Sequence, residues 1–243
     1  MNLLYQRPAR ITYYDLDCFG KLKLSALLRM VHIAADANAR ELGAGYDVLA
    51  PLGMTFVLQR FGVSCFRMPA YYEDVIIRTW PSDVAKGTFL RRGDMYDAKG
   101  EKIMEWASLW LLFDINARKP LKPTALPNPF STLGDEGVVI MPDKVLLPAD
   151  GQPFSQYRHI VSYRDVDTNM HMNNSIYGDL IGNAIFSAGS DANMPDWTQI
   201  QINYLAEMRI GVEAEIKALR DDNGCVVIGE SGGRKAFTAR VTR

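Results

Sequence analysis

Cysteine is scarce in this chain and scattered where it occurs. Cys18, Cys65 and Cys225 are its only three, and no two of them form a Cys-x-x-Cys pair. That excludes a disulfide framework and a cysteine-based zinc site, and it suits a reducing cytoplasm. Charge of one sign is lacking too. The formal net charge is -1, whereas broad nucleic-acid binding requires a strongly basic face, so no nucleic-acid partner is expected. Long hydrophobic runs are missing: the apolar stretch 106–113 contains Ser108 and falls far short of the ~20 residues that cross a bilayer. The first eight residues carry no apolar core of a signal peptide. The expectation is a cytoplasmic protein without a membrane span.

What is there is ordinary globular material. Apolar residues make up 48% and charged residues 23% of 243 positions, enough to bury a substantial core in one large or two small domains. Proline marks a division. Seven of the twelve prolines fall between residues 120 and 153. Proline removes a ladder donor and fixes φ, so residues 119–154 read as a connection between a first half, 1–118, and a second, 155–243.

The halves read alike. In the first, a strand near 10–14 leads through Asp15-Leu16-Asp17 to a helix from Leu24 to about Leu42. Leu24, Leu27, Leu28, Val31, Ala34 and Ala35 give its apolar stripe, and Gly43 can end it. Strand-like runs follow at 55–66, 72–80, 88–97 and 102–114, the last two joined by a turn at 97–100. In the second half, a strand near 157–163 leads through Asp165-Val166-Asp167 to a helix near 174–189. Strands near 198–209, 212–220, 225–230 and 234–242 follow. Asn223-Gly224 suits a type I′ hairpin turn because it tolerates the positive φ values. Asp15-x-Asp17 and Asp165-x-Asp167 match at an offset of 150 (167 − 17), and Arg67 aligns with Glu207 at 140 (207 − 67). Strand, long helix and four antiparallel strands, repeated once, indicate an internal duplication of α+β class, whose two sheets could join edge to edge or back to back.

Residues 167–174 are the most informative. In an extended backbone alternate side chains share a side, which would place Asp167, Asn169, His171 and Asn173 together as a carboxylate, amide and imidazole relay. Asn173 or Asn174 could cap the following helix, whose free amides would then face the site and hold an oxyanion. The plainer reading of such residues is a cap and a turn. The duplicate argues for more: at the matching offset Phe19 replaces Asn169 and Lys21 replaces His171, while Asp17 keeps the acid. A single active site in the second half is therefore expected. Glu207, following the alternating strand of Ile200, Ile202 and Tyr204, is the next candidate. Gly229-Glu230-Ser231-Gly232-Gly233 matches the nucleophile elbow of α/β-hydrolases, but no His, Asp or Glu follows it, so it reads as a glycine-rich hairpin turn. His32 and His159 have no ligand-spaced companions. Neither metal nor organic cofactor is expected.

These residues resemble the acyl-acyl-carrier-protein thioesterases, a tandem-hotdog family of plants and bacteria. The resemblance covers most of the chain. It runs from Asp15-x-Asp17-x-x-Gly20 and the helix at Leu24 through Phe56-Val57-Leu58-Gln59-Arg60 and Thr79-Trp80. It is sharpest at Asp167-x-Asn169-x-His171-x-Asn173-Asn174-x-x-Tyr177 and Tyr204-x-x-Glu207. It implies two antiparallel sheets, each wrapped around a long central helix. It places Asp167, Asn169, His171 and Glu207 on the family's catalytic positions and the acyl-chain pocket largely in the first half. Met208 stands where plant members carry a cysteine, so no thiol nucleophile is expected there.

The implied reaction is hydrolysis of a fatty acyl chain from the phosphopantetheine of an acyl carrier protein. In that reading Asp167 orients His171, and amides at the start of the second helix hold the oxyanion. Acyl-CoA hydrolysis on the same residues and a non-catalytic acyl-binding module are the alternatives. A hotdog hydratase would need one residue more before the histidine, and a proline. Docking of an acidic carrier would use a basic patch, with Arg91-Arg92, Arg118-Lys119-Lys122 and Arg234-Lys235 as candidates. One chain supplies both hotdogs, which leaves a homodimer optional.

Overall fold

The computed structural model describes residues 2–148, 151, 153–186 and 197–243. In chain order its elements are β1 (Tyr5–Arg10), α1 (Leu24–Glu41), α2 (Tyr46–Leu49), β2 (Met54–Cys65), β3 (Asp74–Ala85), β4 (Thr88–Asp97) and β5 (Lys102–Asp114). They continue with β6 (Lys119–Pro120), β7 (Pro153–Ile160), α3 (Ile176–Phe186), β8 (Gln199–Tyr204), β9 (Glu213–Asp221), β10 (Gly224–Ser231) and β11 (Arg234–Thr242). The strands form one antiparallel sheet in the order β1-β3-β4-β5-β2-β8-β11-β10-β9-β7, with β6 added beside β5. The second half of that order repeats the first in reverse. The halves are joined edge to edge through β2 and β8, from Arg60 opposite Asn203 to Ser64 opposite Gln199. Among the described residues no helix is long and apolar enough to cross a membrane.

Local chemistry accounts for the elements. The stripe read along α1 is the buried face, with Leu27, Leu28 and Ala34 fully enclosed. The helix ends in a Schellman arrangement: Gly43 N–H reaches the Arg40 carbonyl and Ala44 N–H the Ala39 carbonyl, with Gly43 at φ 72. At the β10–β11 hairpin Gly232 and Gly233 both take positive φ, as a two-residue primed turn requires. The hairpin expected at Asn223-Gly224 turns at Asp222-Asn223 instead, with Gly224 opposite Asp221 as the first residue of β10. Asn223 does not take positive φ. Instead Gly224 lies so close to β11 that a Cβ there would meet the Val241 carbonyl oxygen at 2.0 Å.

Several boundaries move. The strands expected near 10–14 and 157–163 lie earlier, in β1 and β7. In each half a capping box, Thr12 with Asp15 and Ser162 with Asp165, winds the expected strand end into a 3-10 turn. The strand expected over 198–209 stops at Tyr204, leaving Glu207 in an irregular segment. The second helix starts at Ile176 rather than 174, and its expected end, 187–189, lies outside the described residues. The repeat register also shifts by one. The Ile103 carbonyl accepts from the N–H groups of Phe66 and Arg67, as the Ala236 carbonyl does from Leu205 and Ala206. The offset there is 139 (206 − 67), so the counterpart of Glu207 is Met68, not Arg67. Arg67 instead binds Glu73 and Asp97 within the first half.

The proline-rich connection is no loose tether. Val138, Ile140 and Val145 are buried, and buried polar side chains of the sheet bind its backbone. Arg92 donates to the Val138 and Ile140 carbonyls, and Glu105 accepts from the Val139 and Ile140 N–H groups. Asn203 donates to the Asp143 carbonyl and accepts from Val145 N–H, and Gln201 serves Met141 and Asp143 in the same way. Between its two ends, which join the sheet in β6 and β7, the connection thus has backbone polar groups over 138–145 satisfied by side chains.

One core runs through both halves, and it closes where the two long helices start. Ser25 at the start of α1 donates to Asp179 in the first turn of α3. Gly178 makes the approach feasible, because a Cβ there would meet Ser25 N at 2.5 Å and Ser25 Cα at 2.8 Å. Gly182, one turn on, has no atom within 4 Å of such a Cβ. Gly178→Ala should therefore destabilise the protein by about 1–3 kcal/mol, whereas Gly182→Ala should stabilise it by about 0.5–1 kcal/mol. Urea unfolding midpoints of the two variants check the contrast.

Candidate active site

The segment after Asp165 is a tight turn rather than the extended run expected from its spacing. Asp167 N–H bonds the His171 carbonyl at 3.1 Å and Met170 N–H bonds the Asp167 carbonyl at 3.0 Å. Val166 and Met172 pair across the base. The Asp167 carboxylate accepts from Asn169 N–H at 2.9 Å and from the Asn173 amide at 3.4 Å. Both oxygens thus serve the turn, and among the described residues neither bonds the His171 ring. Asp17 builds the same turn in the first half, accepting from Phe19 and Lys21 N–H groups at 2.9 and 3.0 Å. Gly20 there takes φ 76; Met170 takes φ 62 at the equivalent place, an uncommon conformation for a side chain of that size. The aspartate-built turn is common to both halves, while what it displays differs.

His171 and Glu207 come together through a short antiparallel contact. His171 pairs with Arg209, and Met172 N–H bonds the Met208 carbonyl at 2.7 Å. Alternation then places His171 and Asn173 on one face with Glu207 and Arg209, and Met172 and Met208 on the other. Both methionines are 1% exposed. Position 208 therefore belongs to the core side, which is why a methionine fits it. Tyr177 packs edge-on against Tyr204 and Phe237, with centroids 5.0 and 5.1 Å away, and the Tyr204 hydroxyl donates to the Asn174 carbonyl at 3.3 Å.

Glu207 sits among cations. Arg118 Nη2 lies 3.0 Å and Arg209 Nη2 3.4 Å from its Oε2. Partial burial alone would raise the carboxyl pKa, but the Arg118 hydrogen bond, the nearby His171 charge and Arg209 together hold it below the usual range. The carboxylate is ionised at neutral pH. Arg118 is 89 residues away in sequence, at the β5–β6 turn, and nothing in the local pattern announces the pairing.

A cavity of about 540 Å³ opens between α1 and the first-half sheet. Ala35, Phe56, Phe89 and Trp110 give its apolar wall, and the second half contributes Thr168, Asn169 and Asn174. A smaller cavity of about 280 Å³ occupies the equivalent place beside α3, lined by Cys18, Phe19 and Leu24, the counterparts of those three residues at offset 150. There Phe19 packs on Phe186 at 5.8 Å. Asn173 accepts from the N–H and hydroxyl of Ser175, so it shapes the approach to α3 from three residues before Ile176 instead of capping the helix directly. Asn174 N–H makes no hydrogen bond among the described residues.

Other sequence candidates fall elsewhere. Arg91 and Arg92 are 9% and 8% exposed, which removes that pair as a docking surface. Lys119, Lys122, Arg234 and Lys235 are exposed. His159 lies 3.1 Å from the carboxylate of Asp165, the acid of the second capping box. Among the described residues no cluster of three or more potential metal-ligating side chains occurs.

A family model described as the acyl-ACP thioesterase N-terminal domain matches residues 2–124, and one described as its C-terminal domain matches residues 150–230. Among solved structures, the chain is similar to an acyl-ACP thioesterase from Bacteroides thetaiotaomicron VPI-5482. Identity is 22% and the TM-score 0.84, over 99% of this chain and 98% of that one. It is also similar to the 12:0-ACP thioesterase from Umbellularia californica, at 17% identity and a TM-score of 0.83, over 100% and 97% of the two chains. No curated protein matches the sequence. At these identities the structural likenesses carry the fold, a double hotdog, and nothing finer.

The cation cluster generates a titration test. Glu207 should titrate below the ordinary value of about 4.3. Its contribution to stability should be present above the unfolded value and lost as pH falls through the folded one. Arg118→Met should move the Glu207 titration upward, read by carboxyl carbon NMR; an unmoved midpoint would show that Arg118 does not set it.

Proposed function

The chain belongs to the acyl-ACP thioesterase family, and on that premise we propose that Asn169, His171 and Glu207 carry out the hydrolysis of a fatty acyl-ACP whose chain lies in the first-half cavity. One observation carries this reading. The turn that displays His171 beside Glu207 also contributes Asn169 to the wall of an apolar cavity large enough for a ligand. The first half would then hold the acyl chain and the second half the chemistry, with residues 119–154 connecting them.

In this mechanism Glu207, ionised at neutral pH, takes a proton from water as its oxygen attacks the thioester carbonyl carbon. His171, next to Glu207, shares that proton and returns it to the departing sulfur. The carbon–sulfur bond breaks, giving the free fatty acid and the holo carrier protein. Negative charge on the carbonyl oxygen is met by Asn174 N–H and the start of α3, and Asn169 orients the carbonyl from the cavity wall. Asp167 acts as a positioning residue, because its carboxylate fixes the turn. Asn173 ties that turn to α3. A direct attack by Glu207 on the carbonyl would use the same groups. Scattered cysteines suit a cytoplasmic enzyme, and a chain that carries both hotdogs needs no homodimer to complete its site.

His171→Ala and Glu207→Ala should each lower thiol release from acyl-ACP by roughly 10²–10⁴-fold while both variants stay folded by circular dichroism; near wild-type turnover in both would reject the assignment. The exposed Lys119 and Lys122 lie beside Arg118, and the Arg234-Lys235 hairpin leads to Ala236, which bonds the segment just before Glu207. We place the acidic carrier on this rim. Lys119→Glu with Lys122→Glu should raise KM for acyl-ACP and flatten its salt dependence, with kcat retained. The same pair should leave KM for acyl-CoA, which brings no carrier protein, within about twofold if ACP is the docking partner.

A further inference from the structure

Beside its apolar wall the cavity holds one buried cation that no carboxylate pairs with among the described residues. Arg91 is 9% exposed and lines the cavity. Its Nη1 donates to Asn38 Oδ1 at 2.8 Å and to Thr79 Oγ1 at 3.3 Å. The remaining guanidinium donors make no hydrogen bond among the described residues. Burial pushes its pKa down to about 10, so it remains charged at neutral pH. Buried charges are ordinarily paired or fully hydrogen-bonded, and this one is neither.

His32 stands in the same wall. Its ring packs edge-on to Trp110 at 5.9 Å. The residue is largely buried, and its Nε2 is closed off from solvent with no partner. Burial lowers its pKa to about 4, which keeps the ring neutral. A cavity meant only for a plain alkyl chain gains nothing from a charged guanidinium and an unpartnered imidazole, and it bears their desolvation.

Resting on the thioesterase reading above, we infer that this cavity selects acyl chains bearing a neutral oxygen, a hydroxyl or a ketone, which accepts from Arg91 beside His32. A carboxylate on the chain fits less well. Asp36, Asp47 and Asp83 also line the cavity, so the wall as a whole offers no excess of positive charge. A hydroxyl can serve both an acceptor and a donor, whereas a ketone can serve only the guanidinium.

The test is kcat/KM for thiol release from acyl-ACP carrying saturated chains of the length turned over fastest. Chains are unsubstituted, hydroxylated at successive carbons, or ketonic at those carbons. The expected result is at least a tenfold preference for one oxygenated position over the unsubstituted chain, because a site built to bond an oxygen rejects the analogue lacking it. Arg91→Met should collapse that ratio to within about twofold. If Arg91→Met does not fold, Arg91→Lys reads the same ratio, since an ammonium cannot reproduce the fork. Equal rates for all chains in the wild type, or a ratio that survives the substitutions, would overturn the inference. Absence of thiol release from every chain would instead strike at the thioesterase reading.

Discussion

The edge-to-edge pairing of β2 with β8 is the constraint on which the other features of this protein depend. Five residue pairs join two half-sheets into one, and the helix starts then meet at Gly178 and Ser25. With those two contacts fixed, the turn after Asp165 is held against the cavity of the other half. The candidate site is thus assembled across the duplication, with a cavity wall from one copy and the candidate groups from the next. A side chain at position 178 would push the helix starts apart and with them the turn.

Duplication also separates structural parts from functional ones within a single chain. Both halves keep the capping box, the aspartate-built turn and the bridge at its base. What the turn displays differs between them. Asn169, His171 and Glu207 stand where the first half has Phe19, Lys21 and Met68, and Phe19 packs against Phe186 beside the smaller cavity. Asp167, read from the sequence as the group that orients His171, belongs to the shared part, because its oxygens are occupied by the turn in the way those of Asp17 are. Its value to the site is geometric: it fixes where Asn169 and His171 project.

Electrostatic organisation follows from the same closure. Glu207 is drawn toward the charged form by Arg118 from the first half and by Arg209 and His171 from the second, against a burial effect of opposite sign. Its surroundings are open enough for solvent to screen those pairs, so their role is to set a protonation state more than to stabilise the fold. Buried polar groups on the sheet do the reverse. Arg92, Glu105, Gln201 and Asn203 have no part in the site. They satisfy the backbone of a proline-rich connection that could not satisfy itself.

The sequence by itself determined the fold class, the duplication and the identity of the candidate groups. The 3.6-residue stripe of α1 and the runs of β4, β5 and β11 record which side chains meet the core, and that record is local. The Asp167–Asn174 motif was legible because its two copies differ. Local signals also set the limits. The capping boxes ended β1 and β7 early, and the spacing of two through Asp167, Asn169 and His171 suggested an extended edge where side-chain acceptors bend the backbone into a turn. The tertiary structure alone decided that Arg118 reaches Glu207 across 89 residues, that Met68 is the counterpart of Glu207, and that Arg91 faces a cavity and not a partner. Those relations depend on how the half-sheets close on one another, and a linear pattern encodes burial along an element but not the partner it meets.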